Sequence, residues 1–191
     1  MYRLARDRPM EEVLAELQLD ASAGDDIATD LAAFGYAVNE RELLDTPFRP
    51  KRKRKPTRFS DGSFPVFYSS LDSETAEAEV RHWAPTFMGS PPQPRTVYQW
   101  LFRCTFEGDE KDLRPQIRTW PHLIHKSDYT FCNRLGAEAV QLRVDALVTW
   151  SARRPQGVNL PVFSRRALRN PGTLRLVAIT FDPATGSVSI R

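Results

Sequence analysis

From Thr96 to Glu107 the chain reads TVYQWLFRCTFE, with Tyr98, Trp100, Phe102, Cys104 and Phe106 at every second residue. A period of two places all five on one face of an extended backbone, so this stretch is a strand with a buried side and needs neighbours. FPVFYSS (64–70), rich in aromatic and β-branched residues, reads as one. AEAVQLR (137–143) and DALVTWS (145–151) read as two more. LRLVAITFDPATGSVSIR (174–191) reads as a hairpin turning around Asp182–Gly186. Between them lies one clear helix, DSETAEAEVRHW (72–83). Ser73 or Asp72 suits its N-cap, acids fill the first turn, and Ala76, Val80 and Trp83 mark the buried face. One helix among several short strands predicts an α+β domain.

The N-terminal part has a different texture. MEEVLAELQL (10–19) sets Val13, Leu14 and Leu17 on one helical face; Ile27, Leu31 and Phe34 repeat the pattern before Gly35, and NERELLDTP adds a turn before Pro47. Residues 1–46 are too few to hold a core, so they are expected to be a helical accessory segment on a main domain of residues 47–191. A chain of 191 residues suffices for that arrangement. No apolar run approaches the roughly 18 residues a membrane span needs, and MYRLARDRPMEEVLAEL lacks a secretory apolar region. Two cysteines make no disulfide framework, which predicts a cytoplasmic protein.

Charge is unevenly spread. Seven of the 27 basic residues fall between Arg49 and Arg58, among them the unbroken run Lys51–Lys55. Elsewhere 20 basic residues face 24 acidic ones. A protein gripping phosphate backbones spreads cations over a folded face and interleaves aromatics, whereas Phe48 and Phe59 only flank this run. Nucleic acid is therefore not expected as the main ligand. The run reads as a solvated linker or as a rim that steers an anionic ligand. His122 and His125 in HLIH sit three apart, but no nearby Cys or acidic cluster completes a shell, so no metal site is expected. No Gly-rich phosphate loop, CxxC pair or Ser-His-Asp ordering is present.

The sharper signal is Arg58, Tyr68 and Glu79. Arg58 precedes a turn and the strand ending near Tyr68, and the helix beyond presents Glu79 between Ala76 and Val80. That spacing directs Glu79 to the buried edge of its helix, where an unpaired carboxylate is costly. Either a plain Arg–Glu pair bridges strand and helix, or the three residues form a site.

RFSDGSFPVFYSSLDSETAEAEV (58–80) resembles the RES-domain family of bacterial toxins, named for an Arg, a Glu and a Ser. VFYSSLDSETAEAEV is similar to its strand-to-helix motif, and Ser151 in LVTWSARRPQGVNLPVF stands where the family's Ser ends a strand. The likeness covers about residues 47–191; the Trp-Asn pair that often follows the family's Arg is here Phe59-Ser60. The resemblance implies an ADP-ribosyltransferase-like fold, a mixed, mainly antiparallel β core with flanking helices. It implies NAD as substrate, without a metal: a glycohydrolase, a phosphorylase or an ADP-ribosyltransferase, with Glu79, Arg58 and Tyr68 catalytic. Arg58, Tyr68, Ser151 and Asn159 would bind the dinucleotide. It further implies a cognate antitoxin or immunity protein, and leaves homo-oligomerisation open. A non-catalytic module binding nucleic acid through the basic run is the rival from another class.

Overall fold

The computed structural model describes residues 1–6, 36–51 and 53–191. An eight-stranded sheet holds β1 (Tyr2–Ala5), β2 (Phe67–Ser70), β3 (Arg95–Phe106), β4 (Glu110–Asp112), β5 (Ala146–Trp150), β6 (Val158–Val162), β7 (Leu168–Asp182) and β8 (Ser187–Ile190). Its order is β4-β5-β6-β2-β1-β3-β7-β8, and every pairing is antiparallel except β4 with β5. Among the described residues three α-helices flank it: α1 (Glu40–Asp45), α2 (Ser73–Met88) and α3 (Thr130–Gln141). The architecture is the mixed, mainly antiparallel α+β one.

Strand alternation sorts the core into two faces. Phe102 and Cys104 of β3 join Phe67, Val162 and Leu168 beneath Leu43 and Leu44 of α1. Residues of the opposite parity, Val97 and Leu101, meet Leu4, Val177 and Ile179 beneath Ala76, Ala84 and Met88 of α2. Next to this, α3 lays Cys132 and Ala139 on Phe59, Val144 and Leu147. The strand expected to bury one face thus buries both, because helices cover both sides of the sheet.

The stretch 137–143, expected as a strand, belongs to α3. Its seven residues are too few to fix a period, but over the longer window Cys132, Gly136 and Ala139 are buried at helical spacing while Val140 and Leu142 are exposed. Gly136 is where α3 meets the chain at Phe59: a Cβ there would come within 1.9 Å of the Phe59 carbonyl oxygen.

The helical readings over 10–19 and 27–34 lie outside the described residues. The turn expected before Pro47 is α1, where Asn39 accepts a hydrogen bond from the Glu42 amide at 3.3 Å. Residues 2–5, assigned from sequence to the helical accessory segment, form a strand inside the sheet. Four residues are too few to show a period. β1 pairs with β3 over its whole length but with β2 only at Tyr2–Ser70. Where β1 and β2 part, the Arg3 guanidinium donates to the Tyr68 carbonyl at 2.7 Å and lies 4.6 Å above the Phe67 ring. Burial pushes this guanidinium down to about 10. No helix among the described residues is long and apolar enough to cross a membrane.

Gly136→Ala is expected to destabilise the protein by roughly 1–3 kcal/mol through overpacking against Phe59. That corresponds to about 2–12 °C in Tm for a chain of this length. Gly172→Ala, whose Cβ would meet nothing within 4 Å, is expected to leave Tm nearly unchanged. Calorimetry on the two variants checks the pair.

Candidate active site

Asp72 fixes the start of α2, its Oδ1 accepting the Thr75 amide at 2.7 Å and its Oδ2 the Thr75 hydroxyl at 2.8 Å. With that register, Ala76, Glu79, Val80, Trp83 and Phe87 share one face of the helix and wall a cavity of about 300 Å³. Opposite them lie Tyr68 and Ser70 of β2, Asn159 of β6 and the segment Thr57–Phe59.

Glu79 is the centre of a polar network. Its Oε1 accepts from Ser151 Oγ at 2.7 Å and from Asn159 Nδ2 at 2.6 Å. The Ser151 hydroxyl has no other choice of direction. Its oxygen already accepts the amides of Arg153 and Arg154 at 3.0 and 3.1 Å, so its single proton goes to Glu79. Ser70 Oγ donates to Asn159 Oδ1 at 2.8 Å, which turns the Asn159 amine toward the carboxylate. Glu79 Oε2 has no hydrogen-bond partner among the described residues. The loop carrying Ser151 is tied to α2: Arg154 pairs with Asp72 and Glu74, and Gly157 packs so closely on Thr75 that a Cβ would meet its hydroxyl at 2.5 Å.

Arg58 is held separately. It is buried, and its Nη1 donates to the carbonyls of Leu123 (3.2 Å) and His125 (2.8 Å). The Tyr129 ring covers its guanidinium at 4.7 Å. Asn133 Nδ2 grips the backbone on both sides of the peptide, donating to the Thr57 and Arg58 carbonyls at 2.7 and 2.8 Å. No ion pair joins Arg58 to Glu79 among the described residues, although both line the same cavity. The plain Arg–Glu bridge does not form. Opposite charges instead face a shared space.

Tyr68 links the halves. Its hydroxyl accepts the Phe59 amide at 2.8 Å and shares a proton with Thr57 Oγ1 at 2.7 Å, so the strand residue fixes the segment that carries Arg58. Burial pushes its phenol up to about 12.

The sequence model of the RES domain matches residues 11–182. The chain belongs to the RES-domain family. Among solved structures, the M. tuberculosis MbcT–MbcA toxin–antitoxin complex is similar at 20% identity with a TM-score of 0.47, over 70% of this chain and 75% of that one. No curated protein matches the chain.

Of the residues singled out in this RES domain from sequence, Arg58, Tyr68, Glu79 and Asn159 line the cavity, and Ser151 reaches it through Glu79. Phe59 and Ser60, which replace the family's frequent Trp-Asn pair, are both buried; Ser60 Oγ donates to the Phe64 carbonyl and closes the following turn. His122 and His125 contribute backbone more than rings. The His125 carbonyl takes Arg58, and His125 Nδ1 accepts the Asp128 amide at 2.8 Å. Sequence reasoning missed Thr57, Ser70, Tyr129 and Asn133. The last two stand four apart at the start of α3 and both address Arg58, a pattern that reading 130–141 as a helix exposes.

Tyr68→Phe leaves the Phe59 amide without its acceptor, at an expected cost of roughly 1–3 kcal/mol. The wild-type phenol is favoured protonated in the fold, so its contribution is fully present below pH 10. It is lost as pH rises from about 10, where an unfolded tyrosine ionises, to about 12. Urea denaturation across that range should show the stability difference between wild type and Tyr68→Phe shrinking as pH rises, because groups such as Arg3 and Cys104 titrate alike in both.

Proposed function

We propose that this RES-domain protein cleaves the nicotinamide–ribose bond of NAD, passing ADP-ribose to water or inorganic phosphate. The observation that carries the reading is the asymmetric carboxylate of Glu79. Its Oε1 is pinned by two donors while Oε2 has no partner among the described residues, in a cavity whose cation, Arg58, is anchored elsewhere.

As the glycosidic bond breaks, its electron pair leaves with nicotinamide as a neutral pyridine, and positive charge develops at the ribose carbon. A fixed carboxylate stabilises that oxocarbenium-like state, and pinning one oxygen removes the cost of reorienting it. Ser151 and Asn159 serve here as donors that position Glu79. Arg58 presents its guanidinium to the pyrophosphate, with Nη1 held by carbonyls and its planar fork suited to two oxygens. Tyr68 offers a ring wall for nicotinamide, its hydroxyl already committed to Thr57 and Phe59. Water or phosphate then attacks the ribose carbon, and attacking water releases a proton.

Such an activity drains the NAD of the cell that makes it. We therefore place the protein as the toxin of a pair whose partner, an antitoxin or immunity protein, restrains it. Family membership supports this assignment.

Purified protein incubated with NAD, with and without phosphate, is expected to release nicotinamide. Glu79→Gln should lower kcat about a hundredfold or more, the scale for losing a positioned electrostatic partner of the transition state. Ser151→Ala should cost less, because Asn159 still holds Oε1. Release that is indifferent to Glu79→Gln overturns the reading, and label from NAD appearing on macromolecules would show transferase chemistry instead.

A further inference from the structure

Facing α2, β3 runs Val97, Gln99, Leu101, and the flanking pair sits in an apolar core with Val177 and Ile179. Gln99 interrupts that row. It is only 6% exposed, pairs in register with fully buried Val177, and its amide makes no hydrogen bond among the described residues. Packing alone favours Val or Leu there, whereas this unpartnered amide keeps its polar atoms in contact with open space. What exposure Gln99 keeps opens into the cavity of Glu79, and into a second, adjoining cavity beside Arg6 and Phe87.

Distance along α2 says which part of a ligand Gln99 meets. Glu79, Trp83 and Phe87 are four residues apart on one face, so Phe87 lies about 12 Å along the axis from Glu79. Phe87 shares the adjoining cavity with Gln99. Phe87 is also among the few large apolar side chains left exposed, and Trp83 stands between it and the carboxylate. Aromatic rings beside an unpaired amide suit a planar heterocycle that carries a donor next to an acceptor. The adenine edge is such a pair: its 6-amino group donates, and its N1 or N7 accepts from the same amide. In a dinucleotide cleaved at Glu79, the second nucleoside is the part displaced along the helix.

We propose that the Gln99 end of the cavity is an adenine subsite, with Gln99 pairing the 6-amino edge of a base that packs beside Trp83 and Phe87. The assignment rests on the NAD reading above, and it makes Gln99 a specificity-determining residue remote from the bond that breaks.

The test compares NAD with its 1,N6-etheno analogue, in which a two-carbon bridge removes the 6-amino donor and blocks N1. Wild type should favour NAD by roughly ten- to a hundredfold in kcat/KM, the scale of one bidentate amide–base pair. Gln99→Leu and the roomier Gln99→Ala should bring the ratio to about one, mainly by raising KM for NAD while kcat holds. Gln99→Leu should also keep or raise Tm, since it restores the apolar row. An unchanged ratio in variants that still fold and release nicotinamide overturns the subsite. If wild type releases no nicotinamide, the NAD-cleavage reading fails by itself, and calorimetric binding of ADP against etheno-ADP decides the subsite. Tighter ADP binding that both variants lose supports it; equal binding of the two overturns it.

Discussion

A carboxylate placed at the seam between a helix and a sheet has to be matched, and much of this protein's polar architecture follows from matching Glu79. Three elements contribute donors or orienters: Ser151 from the end of β5, Asn159 from β6, and Ser70 from β2 acting through Asn159. Ser70 and Asn159 are register partners in the sheet, and the Ser151 oxygen is fixed by backbone amides. The two amides that saturate the Ser151 oxygen come from the loop that Arg154 and Gly157 press against the first turn of α2. Helix start, loop and strand end are thus one unit, and the carboxylate is oriented before any ligand arrives.

Arg58 is organised on the same logic with different parts. Its segment is a tight turn closed by the Thr57 amide on the Ser60 carbonyl at 2.7 Å, with no helix or strand of its own to hold it. Tertiary contacts hold it instead: Asn133 on its carbonyls, the Tyr68 hydroxyl on the Phe59 amide, and two carbonyls and an aromatic ring around its guanidinium. A cation committed to neutral acceptors keeps its charge uncompensated. The result is a cavity with a carboxylate and a guanidinium that have not neutralised each other.

Much of this is legible in the sequence where local rules dominate. Period-two alternation marks β3, the Asp72 cap and the spacing of Ala76 and Val80 set the helix phase, and that phase turns Glu79 inward. Arg58 and Tyr68 are legible through family likeness. Short or locally ambiguous segments are not. β1 has four residues and earns its strand from β3 alongside it. The stretch 137–143 is too short to show its period, and Cys132, Gly136 and Ala139 take the helical face that the Phe59 chain segment requires.

The sequence by itself determined the strand-rich α+β class, the register of α2 and the family, because these depend on periodicity and caps within a few residues. Tertiary structure alone decided the rest. It separated Arg58 from Glu79, turned the Ser151 proton toward the carboxylate, and gave the HLIH segment the task of cradling an arginine through its carbonyls. It also set Gln99 in an apolar row beside the cavity. These outcomes depend on which groups from distant segments reach a buried donor or acceptor first, and hydrogen-bond partners 65 to 80 residues apart leave no local pattern to read.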